Sequence, residues 1–332
     1  MRVNWRCSAL LQAVIICCVC CPTSAKTGKH PITGTFLQID TTTMAWPASK
    51  WRRELEAMKR LGMDTLIIQT TAGENGAFYP SDTLDLAEPR GCPDLVGTLV
   101  QIGDQLGIRV FLGLHGYNVW KPGGSCREMI ERDSAVADEL AELYGKHRNF
   151  AGWYLNQEFS DWLEPSKSEL AQAYRRLAKH CHTLVPGKPV AIAPYSTTRS
   201  LDEDACRRGW LRMLPLLGVD IVMLQDGIGC NRGLTAENVP PVYRAVSEAC
   251  HMHNVRFWSD LEIFDIRDWS PAPIDRISAQ IKSESPYVEK IVIWEFNHYM
   301  SPLRGDRAKK LYNDYRKRRP LVRHSLPDAT KR

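Results

Sequence analysis

Apolar residues along this chain fall into eight short runs, and amphipathic stretches with a 3.6-residue period separate them. The runs are GTFLQI (34–39), DTLIIQ (64–69), IRVFLGL (108–114), AGWYLN (151–156), PVAIAP (189–194), VDIVMLQ (219–225), VRFWSDLE (255–262) and KIVIWEF (290–296). Between them the spacing predicts helices. Trp51, Leu55, Met58 and Leu61 line one face of Ala48 to Leu61, and Gly62 follows as a stop. Pro93 to Leu106 before Gly107, and Asp133 to Tyr144 before Gly145, repeat the device. Ser166 to Leu184 opens on a Ser-x-x-Glu cap (Ser166, Glu169), and Val239 to His253, Ile274 to Ser285 and Gly305 to Lys317 complete the set. Strictly alternating buried strands and helices predict a parallel sheet closed as a single (β/α)8 TIM barrel.

The connections are unequal. Those from helix to strand are short; those from strand to helix are long, at 70–92, 115–132, 157–165, 195–204, 226–238 and 263–273. In a barrel the long loops surround the C-terminal mouth, where ligands bind. Gly, Asn, Trp and Tyr are frequent in them, and 70–92 is long enough to serve as a lid.

The chain has 332 residues, which suits one barrel with short extensions. Residues 1–25 read as a secretory signal peptide: Arg2 and Arg6, an apolar stretch from Ala9 to Val19, then the small residues Thr23-Ser24-Ala25. Cysteines 17, 18, 20 and 21 raise a lipid-anchored alternative, although no clean lipobox precedes them. Residues 26–318 form the barrel, and 319–332 a basic, flexible tail. The protein is then expected outside the cytoplasm, secreted or periplasmic, as a monomer without a membrane span after signal removal. Six cysteines remain (Cys92, Cys126, Cys181, Cys206, Cys230 and Cys250). An even number in an exported chain predicts disulfides, with buried thiols as the alternative.

The net charge of +5 is unevenly spread. The first 25 residues carry +2, and Leu303 to Arg332, with eleven Lys/Arg and three Asp, carries +8, leaving about −5 for the barrel between. An acidic barrel argues against a nucleic-acid partner, which would demand a basic stripe. The tail (Arg316 to Arg319, then Arg323) reads as a solvated helix end, or as a contact for an anionic polymer or lipid surface.

Two strings hold the chemistry. In Trp153-Tyr154-Leu155-Asn156-Gln157-Glu158 an apolar strand turns polar where it should emerge, so Glu158 sits among aromatic walls that favour its protonated form. Asp161 and Glu164 lie close enough to compete with it. In Phe257 to Phe264 a period of two places Trp258, Asp260 and Glu262 on one face. Glu262 is nearest the mouth and is the candidate nucleophile; Asp260, deeper, would orient it. Two carboxylates across a cleft are the minimum apparatus for breaking a glycosidic bond. Substrate contacts are expected from Gln38, Gln69, His115, Asn118, Asn156, Gln225 and Asp226, all at or after strand ends. Trp46, Trp120, Tyr195, Trp294 and Tyr299 could stack on sugar faces. Glu295 is a rival carboxylate, but an inward Trp294 should turn it outward. No zinc, calcium or phosphate-loop spacing occurs, so neither a metal nor a cofactor is called for.

The layout resembles the retaining (β/α)8 glycoside hydrolases of clan A. That resemblance implies Glu158 on strand four as acid/base, Glu262 on strand seven as nucleophile and Trp294 on strand eight as a sugar platform. The clan sets an Asn directly before its acid/base, whereas here Gln157 intervenes. More narrowly, ITGTFLQID, MKRLGMDTLIIQ, VMLQDGIG and HYMSP resemble an uncharacterised bacterial family, a domain of unknown function allied to that clan, over roughly residues 30 to 315. The expected function is hydrolysis within a polysaccharide or exopolysaccharide. The alternatives are a non-catalytic polysaccharide-binding barrel in an export or matrix-attachment system, and a hydrolase using Asp226 or Asp260.

Overall fold

A computed structural model describes residues 32–160 and 169–318. Eight parallel strands close into a barrel: β1 Ile32–Leu37, β2 Thr65–Ile68, β3 Arg109–Gly113, β4 Phe150–Leu155, β5 Val190–Ile192, β6 Ile221–Gln225, β7 Arg256–Glu262 and β8 Lys290–Trp294. They lie in sequence order around the barrel, and β1 pairs with β8 to close it. Each falls within or against the run predicted for it.

The interior is filled by alternate residues. Phe36, Ile67, Phe111, Tyr154, Ala191, Met223, Trp258 and Val292 form one buried cluster inside the strands. The intervening positions, such as Leu66, Leu112, Trp153, Val222 and Leu261, join a larger cluster beneath the helices. This period-two division fixes which residues can reach the mouth.

The helices are α1 Ala48–Arg60, α2 Leu95–Leu106, α3 Cys126–Tyr144, α4 Glu169–Leu184, α5 Glu203–Leu217, α6 Pro240–Met252, α7 Ile274–Glu284 and α8 Asp306–Arg318. Two depart from expectation. Helix α3 starts seven residues earlier than Asp133, because Ser125 caps it by accepting the Glu128 N–H. Helix α5 had no counterpart among the predicted helices. Its internal Pro215 argues against a helix, yet Asp202 caps its start and Trp210, Met213, Leu214 and Leu217 bury its inner face.

Two other expectations change. Among the described residues the six cysteines form no disulfide. They lie on separate elements, and Cys181, Cys206 and Cys250 are buried on α4, α5 and α6 as small apolar groups. The 70–92 loop is tied down. It folds a small hairpin (Ala72–Gly73 with Gly76–Ala77), and Glu139 on α3 accepts from the Tyr79 and Ser81 hydroxyls (2.6 and 2.8 Å) and from the Asp82 and Thr83 N–H groups (3.1 and 3.2 Å). The expected signal peptide, Asp161, Glu164, the expected Ser166 cap and residues 319–332 lie outside the described residues. Among the described residues no helix is long and apolar enough to cross a membrane.

Candidate functional site

The inward parity of the strands continues past their C-terminal ends and gathers polar side chains at one rim. Glu158 follows β4 and is partly buried. Its main-chain carbonyl accepts the indole N–H of Trp120 at 3.2 Å. Burial raises its carboxyl above the usual glutamate range, against a hydrogen bond from Gln225 and the charge of Arg232. Gln225, the last inward residue of β6, donates to the Ala193 carbonyl at 2.9 Å and accepts from Arg232 at 3.4 Å.

Glu262 ends β7 beside Trp294 of β8 and is 1% exposed. One carboxylate oxygen accepts the Cys230 N–H at 2.7 Å; the other lies 3.9 Å from the Arg232 guanidinium. A Cβ on Gly229 would come within 2.8 Å of the Glu262 Cβ, so this glycine lets the loop close over the carboxylate. Burial and the charge of Asp226 push Glu262 up to about 7, opposed by Arg232 and the Cys230 N–H.

Arg232 connects the two glutamates. Its guanidinium lies over Tyr195, 4.1 Å from the ring centroid, while facing Gln225 and Glu262. Sequence reasoning placed neither Arg232 nor Cys230 at the site; Cys230 entered only as one of six cysteines expected in disulfides or as buried thiols. Their only signal was a place on the 226–238 mouth loop.

Asp260 points inward beneath both glutamates and is 1% exposed, with Oδ1 unpartnered. Burial and the charges of Glu262, Asp226 and Glu158 hold its carboxyl well above the aspartate range. Tyr154, deeper still, also feels the charges of Glu158 and Asp260.

The other expected contacts divide. Asn156 donates to the His115 carbonyl at 3.0 Å, and the Gln157 side chain accepts the Val119 N–H at 3.1 Å, so Gln157 is spent on the loop wall. His115 is buried with both ring nitrogens unpartnered, and burial, then Arg132, lower its pKa. Gln38 and Asn118 are exposed, Gln69 half-buried. Asn118 accepts the Trp120 N–H. Trp294 is half-buried against Phe36, with ring centroids 5.8 Å apart. Tyr299 is nearly buried and stacks on Phe264. Trp46 is core, packed on Trp51.

Asp226 is turned out of the mouth. With Gln225 facing in, its neighbour faces the helix layer, where Gln280 of α7 donates to it at 2.5 Å and its other oxygen accepts the Ile228 N–H. Glu295 is fully buried; it accepts the Gln38 N–H at 2.6 Å and bonds His298, whose other nitrogen meets Asp40 at 2.8 Å. Among the described residues no cluster of His, Cys, Asp and Glu has the grouping to hold a metal ion. A cavity of about 530 Å³ lies at the opposite end of the barrel, lined by Arg109, Lys188, Arg256 and Trp258, away from these carboxylates.

Comparison with known proteins supports the architecture. A family model described as "Domain of unknown function (DUF4434)" matches residues 32–305. No curated protein sequence matches the chain. Among solved structures, a Bacteroides thetaiotaomicron protein described as a candidate alpha-L-fucosidase is similar at TM-score 0.75 and 23% identity, covering 87% of this chain and 95% of that one. A GH18 chitinase from Pseudoalteromonas aurantia is similar at TM-score 0.54 and 15% identity, with coverages of 86% and 97%. The PgaB (BpsB) glycoside hydrolase domain from Bordetella bronchiseptica gives TM-score 0.53 and 14% identity, with coverages of 85% and 98%. At these identities the likeness concerns the fold, a barrel of the kind that glycoside hydrolases use.

Proposed function

The chain belongs to the DUF4434 family of unknown function, and from that premise we propose that it is an exported glycoside hydrolase acting with retention on a polysaccharide. The observation that carries this reading is the convergence of Glu158 and Glu262, from strands four and seven, on the same neighbours. Arg232 and Asp260 interact with both, and the Cys230 thiol feels the charge of both.

Glu158, biased toward its protonated form, donates a proton to the glycosidic oxygen while Glu262 attacks the anomeric carbon. A glycosyl ester on Glu262 and a free alcohol result. Glu158, now ionised, takes a proton from water, which displaces the sugar from Glu262 with net retention. Arg232 and the Cys230 N–H favour the ionised Glu262 that attack requires. Asn156, half-buried at the rim, is the amide placed to meet a sugar hydroxyl, Gln225 holds Arg232 and Glu158 in position, and Trp294 is the aromatic floor. Export rests on the residue pattern of positions 1–25.

Replacing Glu262 or Glu158 by Gln should each lower kcat/KM on a cleaved polymer by about a thousandfold or more. The thermal midpoint should stay within a few degrees. Proton NMR of the first-formed anomer checks retention. Parent-like cleavage by both variants would remove the assignment. The near-complete burial of Glu262 favours a second reading, a non-catalytic polysaccharide-binding barrel, which requires polymer binding without new reducing ends.

A further inference from the structure

Most aromatic side chains of this barrel are buried. Among the described residues two tryptophans are exposed, Trp120 at 62% and Trp269 at 59%. Both stand on mouth loops. Trp120 follows β3, and its indole N–H is anchored on the Glu158 carbonyl, which holds the ring beside the strand-four glutamate. Trp269 follows β7, on the segment that leaves Glu262.

Trp269 is held in place at a conformational cost. Its φ is 53°, in the left-handed region that bulky residues avoid. Its ring stacks on Phe264 at 5.5 Å and 11°, and Phe264 stacks in turn on Tyr299 at 5.3 Å and 25°. A short hairpin, Phe264–Asp265 against Ser270–Pro271, frames it, with the Arg267 guanidinium bonded to both oxygens of Asp265. Arg276 donates to the carbonyls of Glu262 and Phe264, so the ladder is fixed to the same backbone as the glutamate. A strained backbone that offers one face of an indole to solvent, with its other face packed, is a preformed stacking surface.

We infer that Trp120 and Trp269 are sugar-stacking platforms on opposite sides of the cleavage point, so that a carbohydrate chain crosses the mouth and is cut internally. Pyranose rings are apolar on one face and bond through their edges, which suits single aromatic surfaces bordered by polar groups such as Asn118, Lys121, Arg267 and Asp268 better than a continuous apolar patch. The inference rests on the hydrolytic reading of the same mouth, but it makes separate demands.

The test uses the full chain with hydroxyethylcellulose, xylan, glucomannan and chitosan as probes, together with their oligosaccharides of two to eight units. Polymer binding is measured in a Glu262→Gln background by affinity electrophoresis. Trp269→Ala and Trp120→Ala should each weaken binding of the recognised polymer about tenfold, and each should cut the preference for six-unit over two-unit substrates by a similar factor. Trp269→Phe, which keeps a stacking ring, should recover most of both. Early products should be of intermediate length. If the parent cleaves while the alanine variants keep its binding and length preference, or if only terminal units are released, the platforms are overturned and hydrolysis stands. If the parent binds without cleaving and the variants lose binding, hydrolysis falls and the platforms stand. A parent that neither binds nor cleaves any probe overturns both.

Discussion

At the scale of single residues, the decisive contact is between Arg232 and Glu262. Burial works against the ionised form of Glu262, the proposed nucleophile, and the guanidinium 3.9 Å away works for it. Replacing Arg232 by Met removes a charge that lowers the Glu262 pKa, so that pKa should climb above its present value of about 7. The ionised fraction at any given pH falls, and the acidic limb of the kcat/KM profile should move to higher pH by on the order of one unit. A limb that stays in place would separate Arg232 from the titration of Glu262. This residue was illegible in the sequence because it acts through space, from a loop whose path no periodicity dictates. Asp226 was legible in principle. With Gln225 facing into the barrel, strict alternation already turned Asp226 toward the helices, and only its nearness to the strand end suggested the mouth. Glu158 and Glu262 were readable because both lie where an apolar strand becomes polar.

At the scale of elements, the eight strands were legible because each is buried on both faces and so reads as a short apolar run. Helix α5 was not, since its proline near the C-terminal end masks the period while buried Trp210 and Leu214 stabilise the helix from outside the local sequence. The 70–92 loop shows the same limit. Its length suggested a lid, and one side chain from another element anchors part of it. Glu139 is partly buried, and burial, which would raise its carboxyl, is outweighed by bonds from Tyr79, Ser81 and Thr83 and from the Asp82 backbone. Glu139→Ala should therefore destabilise the fold by about 1–3 kcal/mol. Amide hydrogen exchange at residues 82 and 83 should accelerate more than exchange in β2 or β3. Uniform acceleration across the barrel would mean that Glu139 supports the whole fold and not this loop.

At the scale of the molecule, the barrel holds a set of buried carboxyl groups with raised pKa values: Glu54, Asp133, Asp226, Asp260, Glu262 and Glu284. In each, burial is the first cause. A carboxyl whose folded pKa exceeds its unfolded value binds more protons when folded. Its contribution is complete below the unfolded pKa and is lost as pH rises through the folded one. Stability should thus decline as pH rises from about 4.5 through about 7, where Glu54 and Glu262 titrate, opposite in sign to a protein held by ionised, paired acids. Glu54 isolates the effect because it lies on α1, outside the mouth. Its oxygens accept from Asn297 at 2.7 Å and Ser301 at 2.5 Å, and burial pushes it up to about 7 against those bonds. Glu54→Gln presents a donor on one side and an acceptor on the other, as the protonated acid does with one N–H fewer, but cannot ionise. Chemical denaturation at pH 5 should find parent and variant within about 1 kcal/mol, whereas at pH 8 the variant should be the more stable by on the order of 1–3 kcal/mol. Parallel stability curves across that range would show that Glu54 folds in its ionised form, and that the hydrogen bonds from Asn297 and Ser301 outweigh its burial.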